Sequence, residues 1–184
     1  MEDNTTSAPT LVNHATRWGT ILAGVTVILV MLIYAIDYTL MAGFTFIILA
    51  TLLGLGMVIY AGINYRNQVG GYMPFGKAYL HGLAVFAVAG LISTAFNFLL
   101  YFVIDPDLAG NMVDAIIANT EKTMENWGAP PDSIDQTIDK MRDDMPQNFT
   151  AFGLIKGYFT GLIWYIILSL ITGLIVKKNQ PEMV

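Results

Sequence analysis

The chain has 184 residues, of which 55% are hydrophobic and only 12% charged, and its formal net charge is −5. A soluble domain averages about 25% charged residues, so the composition argues against a soluble globular protein, and the acidic balance argues against nucleic-acid binding. With no cysteine and two histidines, disulfides, thiolate metal ligands and cysteine nucleophiles are excluded, and a histidine-built metal site is short of ligands.

Residues 1–16, MEDNTTSAPTLVNHAT, read as a polar tail. They lack the basic region of a secretory leader, and no A-x-A-like site separates the first two apolar runs. The first apolar helix is therefore expected to remain as an anchor. No Asp, Glu, Lys or Arg occurs in 18–36, 38–65, 78–104 or 157–176. Each run is near or above the about 20 residues that cross a hydrocarbon core. The expected fold is all-α, a polytopic membrane protein with four transmembrane helices in a bundle. Helices one to three occupy 17–104, with a tight turn at Asp37-Tyr38-Thr39 and a glycine-rich link, YRNQVGGYM, before helix three. Helix four occupies 152–178, and 179–184 form a C-terminal tail.

The segment 105–151 is expected to be an acidic extramembrane helical hairpin. Met112, Val113, Ile116, Ile117, Thr120 and Met124 form one stripe at helical spacing. Gly128 and Pro130-Pro131 end that helix. Ser133, with Gln136 three residues on, reads as the capping box of the next. On that next helix Ile134, Ile138, Met141 and Met145 share a face. Lys and Arg near helix ends set orientation. Arg17, Arg66, Lys77, Lys177 and Lys178 place both termini and the middle link in the cytoplasm and the hairpin outside, with Lys156 as the dissenting charge.

Within the link, GYMPFGKA places Gly71, Gly76 and Lys77 in the G-x-x-x-x-G-K pattern of a phosphate loop. The context argues against it. A transmembrane helix precedes it instead of a strand, Pro74 removes an amide donor, and Ala78 lacks the Mg²⁺-binding hydroxyl. Neither a nucleotide nor any other cofactor is expected. The same link, NYRNQVGGYMPFGKAYLHG, followed by an apolar helix ending in YFVIDPD, resembles the bacterial membrane-protein family catalogued as domain of unknown function 4199 (DUF4199). The resemblance covers roughly residues 13 to 178. It rests on the glycine-glycine link into an F-G-[KQ]-A-type helix start, the aromatic helix end running into D-P-D, and the acidic helical segment before helix four. It implies four transmembrane helices and a location in the bacterial inner membrane. It implies no activity and supplies no functional residues.

Small residues recur at helical spacing: Ala50, Gly54 and Gly62 in helix two, Ala78, Gly82 and Gly90 in helix three, and Gly153, Gly157 and Gly161 in helix four, continued by Ser169 and Gly173. Such stripes let helix backbones approach in lipid, within the bundle or between copies. Asn97, between Phe96 and Phe98, is expected to make an interhelical hydrogen bond, with ligand contact as the functional alternative. His81 is expected to hydrogen-bond near the end of helix three. Trp164 and Tyr165, near mid-helix four, suit core packing or lipid contact. No ionisable group lies at mid-depth, which argues against a proton-coupled pump built from one copy.

From Asp105 to Thr150 there are ten carboxylates against three basic groups, a net of −7. Asp132, Asp135, Asp139 and Asp143 line one face of the second hairpin helix, opposite the isoleucines, where like charges repel. No calcium-loop spacing accompanies them, so the candidate role of this face is to meet a partner rather than a metal. No catalytic constellation is found. The sequence therefore points to a non-enzymatic accessory or structural membrane protein that binds another membrane or envelope protein. A small oligomeric transporter or channel subunit is the alternative.

Overall fold

The computed structural model describes residues 9–181. The fold is all-α. Helix α1 spans Leu11–Asp37 and is followed by a 3-10 turn over Tyr38–Ala42. Then come α2, Phe44–Gln68, and α3, Phe75–Leu99, which continues as a π-helical turn over Leu100–Ile104. Two shorter helices follow, α4 at Leu108–Asn126 and α5 at Pro131–Asp144. A 3-10 turn at Met145–Phe149 leads into α6 at Ala151–Val176.

Four of these segments, Leu11–Ala42, Phe44–Gln68, Phe75–Ile104 and Ala151–Val176, are 32, 25, 30 and 26 residues long and apolar enough to cross a membrane. Their outward residues are apolar as well: Ile28, Leu32, Leu49, Leu52, Ile163 and Leu174 are all exposed. A helix that is apolar on its outer face needs lipid or protein around it. Polar side chains on these helices turn back on their own backbone. Thr51 donates to the Ile47 carbonyl, Ser169 to that of Tyr165 and Thr172 to that of Ser169, which satisfies hydroxyls where no water can. The chain is a multi-pass membrane protein.

Several boundaries differ from the sequence reading. α1 begins at Leu11, so 11–16, read as tail, are helical. The reason is a cap: the Thr10 hydroxyl accepts the backbone N–H of Asn13 at 3.3 Å. Asp37 accepts from the Thr39 N–H and hydroxyl at 2.9 and 2.6 Å, which holds the 3-10 turn and delays α2 from Leu40 to Phe44. α5 starts at Pro131 rather than after Ser133. A proline at the first helical position loses no hydrogen bond and has its φ preset, so Ser133 lies inside the helix and caps nothing. The link after α2 turns on Gly70 and Gly71, both left-handed at φ +97° and +83°, a conformation that costs glycine little.

The chain forms two compact units. Among the described residues, the first comprises 9–24, 52–91 and 161–181, and the second 25–51 and 92–160. In the first, Tyr65, Met73, Ala78 and Val176 are buried together. Glycines give close backbone approach there: a Cβ on Gly62 would meet Val176 Cγ2 at 2.8 Å, one on Gly82 would meet Thr172 Oγ1 at 2.7 Å, and one on Gly173 would meet the Tyr79 backbone at 3.1 Å. In the second unit, α4 and α5 form the expected hairpin. Val113 and Ile117 pack against Ile134 and Ile138. Met112 faces away from this pair, into a cluster with Leu100 and Leu108 that Tyr34, Met41 and Phe149 flank.

Candidate functional site

The most distinctive polar feature lies inside the first unit. His14 of α1 and His81 of α3, 67 positions apart, meet with Nδ1 of the former 2.9 Å from Nε2 of the latter. His14 Nε2 lies 3.0 Å from Asn64 Oδ1, and the same oxygen accepts from Gln68 Nε2 at 2.6 Å. His14 is 5% exposed and His81 fully buried. Tyr65 stacks on His81 with ring centres 5.2 Å apart and planes 10° apart. Trp18 lies against His14 at 6.2 Å and edge-on to Tyr60 at 5.3 Å.

Donor and acceptor roles follow from the amide. Asn64 Oδ1 only accepts, so His14 Nε2 carries its proton. In neutral His14, Nδ1 is then an acceptor, and His81 Nε2 must donate to it. The two bonds from His81 through His14 to Asn64 point one way, Gln68 meets the same Asn64 oxygen from the other side, and His81 Nδ1 is left as a bare acceptor. That atom is buried and has no partner among the described residues. An unmet buried polar group costs about 1–3 kcal/mol. The arrangement leaves His81 Nδ1 able to accept one further hydrogen-bond donor. It cannot assemble a metal site alone, since no group of three or more His, Cys, Asp or Glu side chains converges among the described residues.

The sequence reading found His81 and its hydrogen bond, but placed His14 in the tail and so missed the pair. The Thr10 cap was the available signal.

The other predicted positions separate. Gly54 is in ordinary contact with Phe86, whereas Gly62 and Gly82 are tight packing positions. Gly90 receives the Tyr165 hydroxyl, and Gly153 lies against Gln147 and Asn148. Gly157 has open space where a Cβ would go, and Gly161 meets only Tyr165 of its own helix, at 3.8 Å. The stripe in α6 is therefore not one continuous packing seam within the chain. Gly153 packs only against the turn into its own helix, Gly157 meets nothing, and the line reaches another helix at Gly173, against Tyr79. Asn97 is half-buried, and no hydrogen bond of its side chain is found among the described residues. Trp164 and Tyr165 divide the two roles foreseen for them. Tyr165 stacks on Phe86 at 5.8 Å, and Trp164 is 63% exposed on the outer surface.

In the second unit, Asp132, Asp135, Asp139 and Asp143 all lie exposed on α5. Arg142 Nη1 reaches Asp139 Oδ1 at 3.3 Å, with both side chains mostly exposed, a pair worth little in water. Asp105 is set apart from these. It accepts the Tyr34 hydroxyl at 2.8 Å through Oδ2 and the Leu108 N–H at 3.2 Å through Oδ1. It thus ties α1 to the start of α4.

GYMPFGKA does not form a phosphate loop. No strand precedes it, and Met73 buries its side chain in the helix cluster.

A family model described as "Protein of unknown function (DUF4199)" matches residues 17–178. No curated protein and no solved structure matches the chain.

Proposed function

The chain belongs to the DUF4199 family, and we propose that it is a non-enzymatic accessory protein that engages another membrane or envelope protein through the acidic face of α5. In this reading it resides in the bacterial inner membrane with both termini in the cytoplasm and the hairpin outside. The supporting observation is the hairpin's own core. Val113, Ile117, Ile134 and Ile138 are buried within it, so the four aspartates are held on a fixed, exposed surface instead of being spread along a flexible loop. Like charges three and four residues apart on a helix repel, and Arg142 offsets one of them only weakly. A basic partner surface would relieve that repulsion and be steered to it.

The test is a variant with Asp132, Asp135, Asp139 and Asp143 all changed to Asn, extracted in mild detergent beside the parent protein. Loss of one stoichiometric companion, with membrane insertion unchanged, is the expected result. A companion retained at equal stoichiometry in the variant would sink the proposal.

A second reading, a subunit of an oligomeric transporter or channel, is favoured by one observation, the one-way hydrogen-bond chain at His14 and His81. Solute or proton flux in proteoliposomes that vanishes in His81→Phe would move the weight to it. No flux over a panel of ions and small solutes would remove it.

A further inference from the structure

Among the described residues of the first unit, Arg17, Arg66, Lys77, Lys177 and Lys178 carry positive charge and no Asp or Glu is present. Two of these cations are gathered at one cleft by backbone structure. Beyond the end of α6, Lys178 forms an antiparallel bridge with Met73, each residue donating its N–H to the other's carbonyl at 2.8 Å. The bridge is anchored twice. The Met73 side chain is fully buried, and Arg66 Nη1 donates to the Val176 carbonyl at 2.8 Å.

Lys178 is therefore not part of a free tail. Its Nζ lies 5.4 Å from the centre of the Tyr72 ring. Lys77, on the first turn of α3, lines the same cleft of about 380 Å³, together with Tyr65, Tyr72, Pro74 and Gln180. That volume falls in the about 300–1,000 Å³ range of small-ligand sites. The walls combine two ammonium groups, phenols and two side-chain amides with apolar surface, and the cleft sits where the apolar helices α2 and α6 end.

We propose that this cleft binds an anionic phosphoryl group, carried by a phospholipid headgroup or by free phosphate. The ammonium groups supply charge-assisted hydrogen bonds to phosphate oxygens, and basic pockets at the ends of transmembrane helices suit anionic headgroups. The site shares Lys77 with the nucleotide pattern rejected above but uses lysine side chains from two separated segments, not a loop of backbone amides. It is also independent of any role for the α5 face.

The test titrates the full-length protein in neutral detergent with phosphatidylglycerol, phosphatidylcholine and inorganic phosphate, read by native mass spectrometry and calorimetry. The variant Lys77→Gln/Lys178→Gln is compared with Arg17→Gln/Lys177→Gln, which removes the same charge outside the cleft. Phosphatidylglycerol is expected to bind the parent in preference to phosphatidylcholine and to bind the cleft variant about thirtyfold more weakly, the loss expected for two juxtamembrane lysines. The control variant should stay close to the parent. Lys77→Arg/Lys178→Arg should retain binding, which separates lost charge from lost folding.

If inorganic phosphate binds as well and is lost in the same variant, free phosphate is the source of the group. Equal losses in the cleft and control variants, or no preference for phosphatidylglycerol together with no phosphate binding, would overturn the assignment.

Discussion

The two units are built from segments of the same four long helices, yet they solve different problems. Among described residues the first has five cations and no carboxylate, while the second has eleven carboxylates and four cations. The first packs by close backbone approach at Gly62, Gly82, Gly90 and Gly173 and buries a histidine pair. The second packs through large side chains, Leu100, Leu108, Met112 and Phe149 among them, and its one tight glycine is at the turn into α6, Gly153. The difference teaches that apolar composition alone does not set how membrane helices associate. Where small residues and buried polar groups meet, the interior is specific. Where bulky side chains dominate, specificity passes to the segment that leaves the helices.

The largest test of that contrast is at glycine. Gly82→Leu should lower stability in detergent by about 1–3 kcal/mol or more, the cost of overpacking, because its Cβ alone would stand 2.7 Å from Thr172 Oγ1. Gly157→Leu, with nothing within 4 Å, should leave the melting temperature of the monomer unchanged. If the two substitutions melt alike, close approach is not what organises the first unit. Any loss of association in Gly157→Leu without loss of folding would assign that open glycine to contact between copies.

A second test addresses the histidines. His81→Phe exchanges one unmet nitrogen, His81 Nδ1, for another, His14 Nδ1, and loses the hydrogen bond between the rings, at an expected cost of about 1.5 kcal/mol. Adding His14→Phe should recover part of it, since no unpaired imidazole then remains. Simple additivity of the two substitutions in a thermal-unfolding cycle would show that the pair is not coupled. The smallest expected effect belongs to the second unit. Tyr34→Phe removes one of the two donors to Asp105 and should lower overall stability only slightly. Hydrogen exchange at the start of α4 should then rise while the first unit is unaffected. A uniform rise across the chain would break the separation drawn here.

Much of this was legible in the residues. The charge-free runs located the four long helices because lipid tolerates no unpaired charge, and the stripe from Met112 to Met124 announced α4 because a helix must bury its apolar face. Spacing states which residues share a face but not what that face meets. Hence Gly157 and Gly82 looked alike in sequence, although one faces open space and the other a threonine. His14 was hidden for a different reason. The eye stops at Arg17, the first charge before the apolar run, while the hydroxyl of Thr10 carries the helix on past the histidine. Its partner lies 67 positions away, a distance over which local pattern says nothing. Pro131 displaced Ser133 as the start of α5 because a ring that presets φ outcompetes a hydroxyl cap.

The π-helical turn at Leu100–Ile104 resets the phase of the helix that contains it. It fits one more residue into a turn than an α-helix would, and Asp105 N–H closes it on the Leu100 carbonyl at 2.9 Å. Each α-helical residue advances the direction of its side chain by about 100°. Deleting a single residue such as Phe102 should therefore let the turn relax to ordinary α geometry with Asp105 still aimed at the Tyr34 hydroxyl, whereas α geometry over the full-length segment would swing that carboxylate by about 100°. The turn absorbs a surplus residue without re-aiming the carboxylate, and its slack is as much a part of the molecule's wiring as any side chain.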